Sequence, residues 1–112
     1  MARQLTRAYS RQNLEGLELL AQAIRVGRIE RKMSAQELAN RAGISRSLLQ
    51  RIENADPACS IGAVFEAATI AGVSLFESEP GRLQTHRAVL TEKLSLLPQR
   101  PRKSRRVIND DF

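Results

Sequence analysis

The sequence predicts an all-α fold, and three observations support this prediction. Apolar residues make up 42% of the 112-residue chain but aromatic residues only 4%, and strands prefer aromatic and β-branched side chains. Leucine, isoleucine and alanine recur at spacings of three and four residues, as on one face of a helix. Serines precede and glycines follow several of these segments, as helix caps do. A chain of this length supports one small core.

The first predicted helix runs from Leu14 to about Arg31, after a polar arm over residues 1–13 that carries three arginines. Its apolar residues fall at helical spacing and should bury one side of it: Leu17, Leu20, Ala21, Ile24 and Ile29. The first helix is therefore expected to pack along one face only.

Two short helices joined by a glycine follow. Ser34 is a natural N-cap, and Glu37 three residues later completes a capping box. Gly43 is expected to end this second helix in the left-handed conformation. Ser45 caps a third helix that runs to about Asn54.

Three further segments complete the order of elements. A fourth helix is predicted from Ser60 or Ile61 to Gly72. The next segment, residues 73–77 ("VSLFE"), is predicted to form either a short fifth helix or a turn. In both cases Val73, Leu75 and Phe76 should close the core. Residues 83–97 form a last helix with a narrow leucine stripe, typical of a contact seam. The predicted organisation is an arm (1–13), a compact domain (14–78), a C-terminal helix (79–97) and a basic, disordered tail (98–112).

Composition argues against several classes of protein. The single cysteine, Cys59, and the single histidine, His86, offer no disulfide, no cysteine-based zinc site and no evident catalytic pair. No apolar run approaches the roughly 20 residues that span a bilayer. We therefore expect a cytoplasmic protein that is not an enzyme and needs no cofactor or metal. The net charge of +6 favours a polyanionic partner.

Residues 34–54 have the helix, tight turn, helix order of a DNA-binding helix-turn-helix. At about 100° per residue, the polar side chains of the third helix fall within about 140° of arc, and Leu49 and Ile52 lie on the opposite side. These polar residues are Arg46, Ser47, Gln50, Arg51 and Asn54. This face could be a solvated surface, but the caps, the glycine turn and the near absence of acids favour DNA contact.

The chemistry of these side chains suits the edges of bases. Arginine binds guanine O6 and N7 with two hydrogen bonds, glutamine binds adenine in the same way, and serine suits either. Because the N-terminal part of the second helix of this motif enters the major groove, Arg46 and Ser47 should reach the bases first. Arg41 and Asn54 flank the face and suit phosphate contacts. Glu53 lies at the border with the core, and Arg28 in the first helix is its expected, architectural ion-pair partner.

Residues from about Leu20 to Phe76 resemble the XRE, or Cro/CI-type, family of helix-turn-helix regulators, on "IRVGRIERKMSAQELANRAGISRSLLQRIEN" and "FEAATIAGVSLF". The resemblance implies a compact five-helix, lambda-repressor-like domain, followed here by the additional C-terminal helix, that binds a palindromic operator as a homodimer. It also implies base contacts by Arg46, Ser47, Gln50 and Arg51, with Ser45 and Asn54 near the DNA backbone.

The second helix departs from that family at one position. The family commonly has a phosphate-binding glutamine directly after the Ser34 position, where this chain has Ala35. Gln36, one place later, is left to make that contact, although it points about 100° away on a helix.

A narrower resemblance concerns segments outside the motif. "ENADPACSIGAVFEAA" and "LLPQRPRKSRRVINDDF" look like XRE regulators that act as HipB-type antitoxins beside HipA-type kinase toxins. The alternatives are a stand-alone repressor and a protein-binding adaptor with the same fold. The tail could be a solubilising end, could follow DNA phosphates or could dock on a protein partner.

Overall fold

The structure, a computed structural model, describes residues 8–76, 79 and 81–99. These residues form five α-helices: α1 (Arg11–Glu30), α2 (Ala35–Ala42), α3 (Arg46–Glu53), α4 (Ile61–Ile70) and α5 (Arg82–Leu96). The described residues contain no β-strand. The predicted all-α class is confirmed.

The chain divides into two compact units, Met1–Leu75 and Phe76–Phe112. The core of the first unit takes large side chains from three helices, with Ile24 of α1, Leu38 of α2 and Leu49 of α3 all fully buried. Three buried alanines, Ala67, Ala68 and Ala71, supply the α4 side of this core. These small residues allow α4 to approach α1 closely. At Gly27 of α1 there is no room for a side chain, because a Cβ there would overlap the carbonyl group of Ala71.

The N-caps position α2 and α3 as the sequence predicts. Ser34 Oγ accepts a hydrogen bond from Glu37 N at 3.0 Å while Glu37 Oε1 accepts one from Ser34 N at 3.0 Å. Ser45 Oγ accepts from Leu48 N at 3.0 Å and starts α3. The first helix begins three residues earlier than predicted, because Ser10 Oγ accepts from Asn13 N and caps it at Arg11.

The first four helices end in the same hydrogen-bonding pattern, in which a residue with positive φ reverses the chain. Gly43 (φ 70°) and Gly72 (φ 81°) do so after α2 and α4. Lys32 (φ 57°) and Ala55 (φ 62°) do so after α1 and α3. At these last two ends a side chain other than glycine occupies a conformation that costs about 1 kcal/mol.

The segment after α4 forms no helix over residues 73–76 and bends at Leu75 and Phe76; Glu77, the last residue of the predicted segment, lies outside the described residues. Val73 and Leu75 are half-buried against the core, as expected, but Phe76 is 64% exposed and does not close it. The left-handed Gly72 reverses the chain immediately before this segment, so α4 does not continue into it. The first unit therefore has four helices in its described residues, one fewer than the resemblance implied.

The second unit contains α5, which has no buried residue. Leu83, Leu90 and Leu94 are exposed near one side of α5, as the sequence predicts, but Val89 and Leu96 are exposed on another side, so its apolar residues are not confined to one stripe. Residues 1–7 of the predicted arm and residues 100–112 of the predicted tail lie outside the described residues; residues 11–13, assigned to the arm, belong to α1.

Candidate nucleic-acid interface

The polar face of α3 carries the side chains predicted to read bases. Arg46, Ser47, Gln50 and Arg51 are all exposed, whereas Leu49 and Ile52 are buried beneath them. The eight-residue helix therefore attaches to the core along one side and presents donors to solvent along the other. This is the arrangement that a helix needs if it is to enter the major groove.

Arg46 and Gln50 line a cleft of about 210 Å³ between α1, the start of α2 and α3. Asn54, the C-cap of α3, lines the same cleft, and so do Ala35 and Arg25. Within the described part of the chain, the side chains of Arg25, Arg46 and Gln50 have no hydrogen-bond or ion-pair partner. Their donors are therefore available to a ligand.

Glu53, the only acid in α3, lines the cleft, and Arg28 neutralises the charge of Glu53 in an ion pair. Arg28 Nε donates to Glu53 Oε2 at 2.8 Å and Arg28 Nη2 donates to Glu53 Oε1 at 3.1 Å. The two side chains are only 14% and 10% exposed, and the hydrogen bond to Glu53 raises the pKa of Arg28 above its usual value. The ion pair predicted between α1 and α3 is present, and it removes an uncompensated negative charge from the face.

Arg51 lies on the same face but is not free. Its Nε donates to Asp56 Oδ2 at 2.8 Å, and the two side chains are 49% and 32% exposed. This bond raises the pKa of Arg51, while a hydrogen bond from Ala58 N and then the bond from Arg51 lower the pKa of Asp56. Of the four predicted base readers, Arg51 is the one that already has a carboxylate partner.

The predicted phosphate contacts differ in availability. Arg41 is exposed in the last turn of α2, and Asn54 is exposed at the end of α3. Ser45 is exposed, but its hydroxyl already accepts from Leu48 N as the N-cap of α3. The Gln36 amide donates to Asn40 Oδ1 at 2.9 Å within α2, so a phosphate would have to displace that bond.

A protein-family model that describes a helix-turn-helix domain matches residues 19–79. The match covers more than half of the chain and all of α2 and α3. The chain belongs to the helix-turn-helix domain family. No curated protein and no solved structure matches the chain.

Membership in the helix-turn-helix family supports DNA binding and a role in transcription regulation as the general function. Proteins with this domain are typically not enzymes. Within residues 8–76, 79 and 81–99, no group of three or more His, Cys, Asp or Glu side chains could hold a metal ion. None of the helices in this part of the chain has the length and apolar character needed to cross a membrane.

Sequence reasoning missed two residues of this helix-turn-helix surface. Arg25 could have been found, because it precedes Arg28 by three residues and therefore shares its side of α1. Asp56 lies beyond the end of α3, in a segment that a helical projection does not cover. Its position against Arg51 depends on the reversal of the chain at Ala55.

Proposed function

We propose that this helix-turn-helix protein is a sequence-specific transcriptional repressor of the XRE type, which acts in the cytoplasm on the nucleoid. It binds a palindromic operator as a homodimer, with α3 of each protomer in the major groove. Two half-sites one helical turn apart, about 34 Å, then match the two-fold symmetry of the protein.

The observation that carries this proposal is the exposed face of α3 together with the adjoining cleft. Arg46 and Gln50 are free, Ser47 is exposed beside them and the one acid of α3 is paired with Arg28. We assign base contacts to Arg46, Ser47, Gln50 and Arg51. Each presents hydrogen-bonding groups that base edges in the major groove can pair with.

Phosphate contacts are assigned to residues around the edge of this face. Arg41 and Asn54 are exposed on either side of it, with Ser45 at the start of α3 and Gln36 in α2. We add Arg25, because it lines the cleft together with Arg46 and Ala35. Ala35 has no polar group with which to bind a phosphate, whereas Arg25 has one. Contacts of this kind hold a protein on DNA without reading its sequence.

Binding of the full-length chain to DNA upstream of its own reading frame tests the proposal, by gel shift and by selection from random duplexes. Arg46→Ala should cost about 1 to 3 kcal/mol on the preferred site and relax one base position. Arg25→Ala and Arg41→Ala should weaken binding to all sequences alike and reduce its dependence on salt.

Arg31→Ala is the matched control. It removes the same charge from the C-cap of α1, but Arg31 lines a different cleft, between α1 and the end of α4. It should change binding less than Arg25→Ala does. If Arg46→Ala and Arg51→Ala both leave DNA binding unchanged, the domain is a protein-binding adaptor and the repressor proposal is wrong.

A second candidate function, favoured by α5, is that of an antitoxin that also represses its own operon. All residues of α5 are exposed, including Leu83, Leu90 and Leu94 near one side, and Leu97, the C-cap that follows the helix, is exposed as well. An isolated helix of about 15 residues is only marginally stable in water, so a partner that covers these leucines would stabilise it. A HipA-like kinase toxin and a second copy of this chain are the two partners proposed.

The neighbouring reading frame distinguishes the antitoxin from a stand-alone repressor. If it encodes a kinase-like protein, co-expression should give a complex, and Leu90→Glu with Leu94→Glu should disrupt that complex. Size-exclusion chromatography of the chain alone shows whether the same pair of substitutions also removes a homodimer. No complex with the neighbouring protein would leave the stand-alone repressor.

A further inference from the structure

We propose that Asp56 is a specificity-determining residue of the DNA interface. In this proposal Asp56 holds the Nε side of the Arg51 guanidinium, so that the two terminal nitrogens of Arg51 face one guanine. The inference rests on the proposed function, since it assumes that α3 reads bases. It concerns a residue that lies outside α3 and that would touch Arg51 rather than the DNA.

The first step of the argument is the way in which the two side chains meet. Asp56 Oδ2 accepts only the Nε–H of Arg51, at 2.8 Å. Within the described residues, no acceptor engages Nη1 or Nη2 of this guanidinium. Nearly half of the Arg51 side chain is exposed, so the terminal nitrogens are accessible to a ligand.

The second step is that Asp56 is itself fixed to the end of α3. Its Oδ1 accepts from Ala58 N at 2.9 Å, and its backbone N–H donates to the Arg51 carbonyl oxygen at 3.0 Å. Ala55, with φ 62°, makes the turn that brings Asp56 back beside Arg51. Each carboxylate oxygen therefore has its own partner, and the orientation of the carboxylate follows from that of the helix.

The third step is the chemistry of the base. A guanidinium presents its five N–H donors in a rigid fork, and guanine presents two neighbouring acceptors, O6 and N7, in the major groove. With Nε occupied by Asp56, the Nη1 and Nη2 donors remain as a pair directed away from the carboxylate. Adenine matches this pair poorly, because it has a donor at N6 where guanine has the acceptor O6.

The fourth step concerns conformational freedom. An unrestrained arginine loses side-chain entropy when it binds and can pair equally well with a phosphate, which carries no sequence information. Restraint by Asp56 lowers the entropy that Arg51 still has to lose on DNA. It should therefore favour the single orientation that reads guanine.

A competing explanation gives Asp56 the opposite effect. A carboxylate beside the interface repels phosphates and neutralises Arg51, so its removal could simply raise affinity for all DNA. The two explanations predict different results for Asp56→Asn. This variant keeps an oxygen that can accept from Ala58 N but loses the charge that holds Arg51.

The experiment compares full-length wild type, Asp56→Asn, Arg51→Ala and the double variant on the duplex that the wild type selects from a random library. Affinities are measured by fluorescence anisotropy for that duplex and for a set with each base pair changed in turn. Urea unfolding and far-UV circular dichroism verify that every variant is folded. Arg51→Lys is added because it retains the charge without the fork.

We expect Asp56→Asn, Arg51→Ala and Arg51→Lys to reduce discrimination at the same base pair by about tenfold. The double variant should lose no more discrimination than Arg51→Ala alone, because the two residues act as one unit. Glu30→Gln is the matched control: it removes one negative charge from α1, where Glu30 lines the cleft on the α4 side, and should leave discrimination unchanged.

Three results would overturn the inference. In the first, Asp56→Asn binds every duplex more tightly and keeps the wild-type preference, as repulsion alone predicts. In the second, its effect adds to that of Arg51→Ala, so that the residues act independently. In the third, the wild type selects no sequence at all; only this result overturns the proposed function as well.

Discussion

The two arginine–carboxylate pairs attached to α3 have the same chemistry but differ in burial and in the number of donors used. Arg28 and Glu53 are 14% and 10% exposed and share two hydrogen bonds, with a third from Arg28 to the Met33 carbonyl oxygen. Arg51 and Asp56 are 49% and 32% exposed and share one. The first pair joins two helices, whereas the second joins a helix to the loop that follows it. The same ionic groups can thus serve the fold in one place and remain available to a ligand in another.

The largest effect is expected when the more buried of the two pairs is broken. Glu53→Leu leaves the Arg28 guanidinium in a partly buried site without its carboxylate and should lower the free energy of unfolding by up to about 3 kcal/mol, as measured by urea denaturation. Replacing both partners, in Arg28→Met with Glu53→Leu, should recover most of this loss. If the double variant were as unstable as the single one, the cost would arise from packing and not from the unpaired charge.

The second-largest effect is expected from Gly27→Ala, which tests whether packing against α4, in addition to the ion pair, keeps α1 in place. This substitution places a Cβ against the Ala71 carbonyl group, where α1 and α4 pack closely, and should lower the free energy of unfolding by about 2 kcal/mol. Gly16→Ala is the matched control, because it lies in α1 with open space around it and should raise stability by up to about 1 kcal/mol through helix propensity. If Gly27→Ala and Gly16→Ala changed the free energy of unfolding by the same amount, the contact between Gly27 and Ala71 would have room for a side chain.

A smaller effect is expected at the turn that carries Asp56. Ala55 has a positive φ, which costs a residue other than glycine about 1 kcal/mol. Ala55→Gly removes this cost, but glycine also gains entropy in the unfolded chain. The substitution should therefore raise the free energy of unfolding by somewhat less than this cost. Lys32→Gly, at the equivalent place after α1, should act in the same direction. Gly43→Ala, with φ 70°, should have the opposite sign. Destabilisation by Ala55→Gly would contradict this account of the turn.

The exposed pair should contribute little to stability. Asp56→Asn should leave the urea midpoint unchanged, because a solvated ion pair gains little and loses side-chain entropy. The comparison between the two pairs would fail if Asp56→Asn destabilised the chain as strongly as Glu53→Leu.

The smallest effect concerns pH. The pKa of Asp56 is lowered, so any stability it contributes is present above its unfolded value of about 3.9 and is lost as the pH falls through the lower folded value. Asp56 therefore stays charged from pH 5 to 8, and DNA discrimination at the Arg51 base pair should stay constant over that range in anisotropy measurements. A change in discrimination between pH 5 and pH 8 would contradict the assignment.

The elements that the sequence predicted best are those with local signals. The capping box of Ser34 and Glu37 and the glycine stop at Gly43 depend only on residues a few positions apart, and both are present. The stops at Lys32 and Ala55 carry no such signal, because neither residue type favours positive φ. At these two ends tertiary packing determines where the helix ends.

The site was predictable to the extent that it lies on one regular helix. The exposure of Arg46, Ser47, Gln50 and Arg51 follows from the periodicity of α3, while their contacts with bases stay a prediction. The pairing of Arg28 with Glu53 follows from the border of the apolar face. The Arg51–Asp56 bond did not follow, because it depends on the path of the chain after α3. The spacing places Arg25 on the same side of α1 as Arg28, but its position beside Arg46 depends on how α1 packs against α3.

Arg28 also has a thermodynamic consequence. One guanidinium holds Glu53 at the end of α3 and the Met33 carbonyl oxygen just before α2, so α2 cannot reorient against α3 without losing hydrogen bonds in a partly buried site. The two helices should therefore meet DNA as a preformed rigid body. Calorimetry of operator binding should then show a heat-capacity change that matches the contact area alone, without the additional negative contribution of a domain that folds on its target.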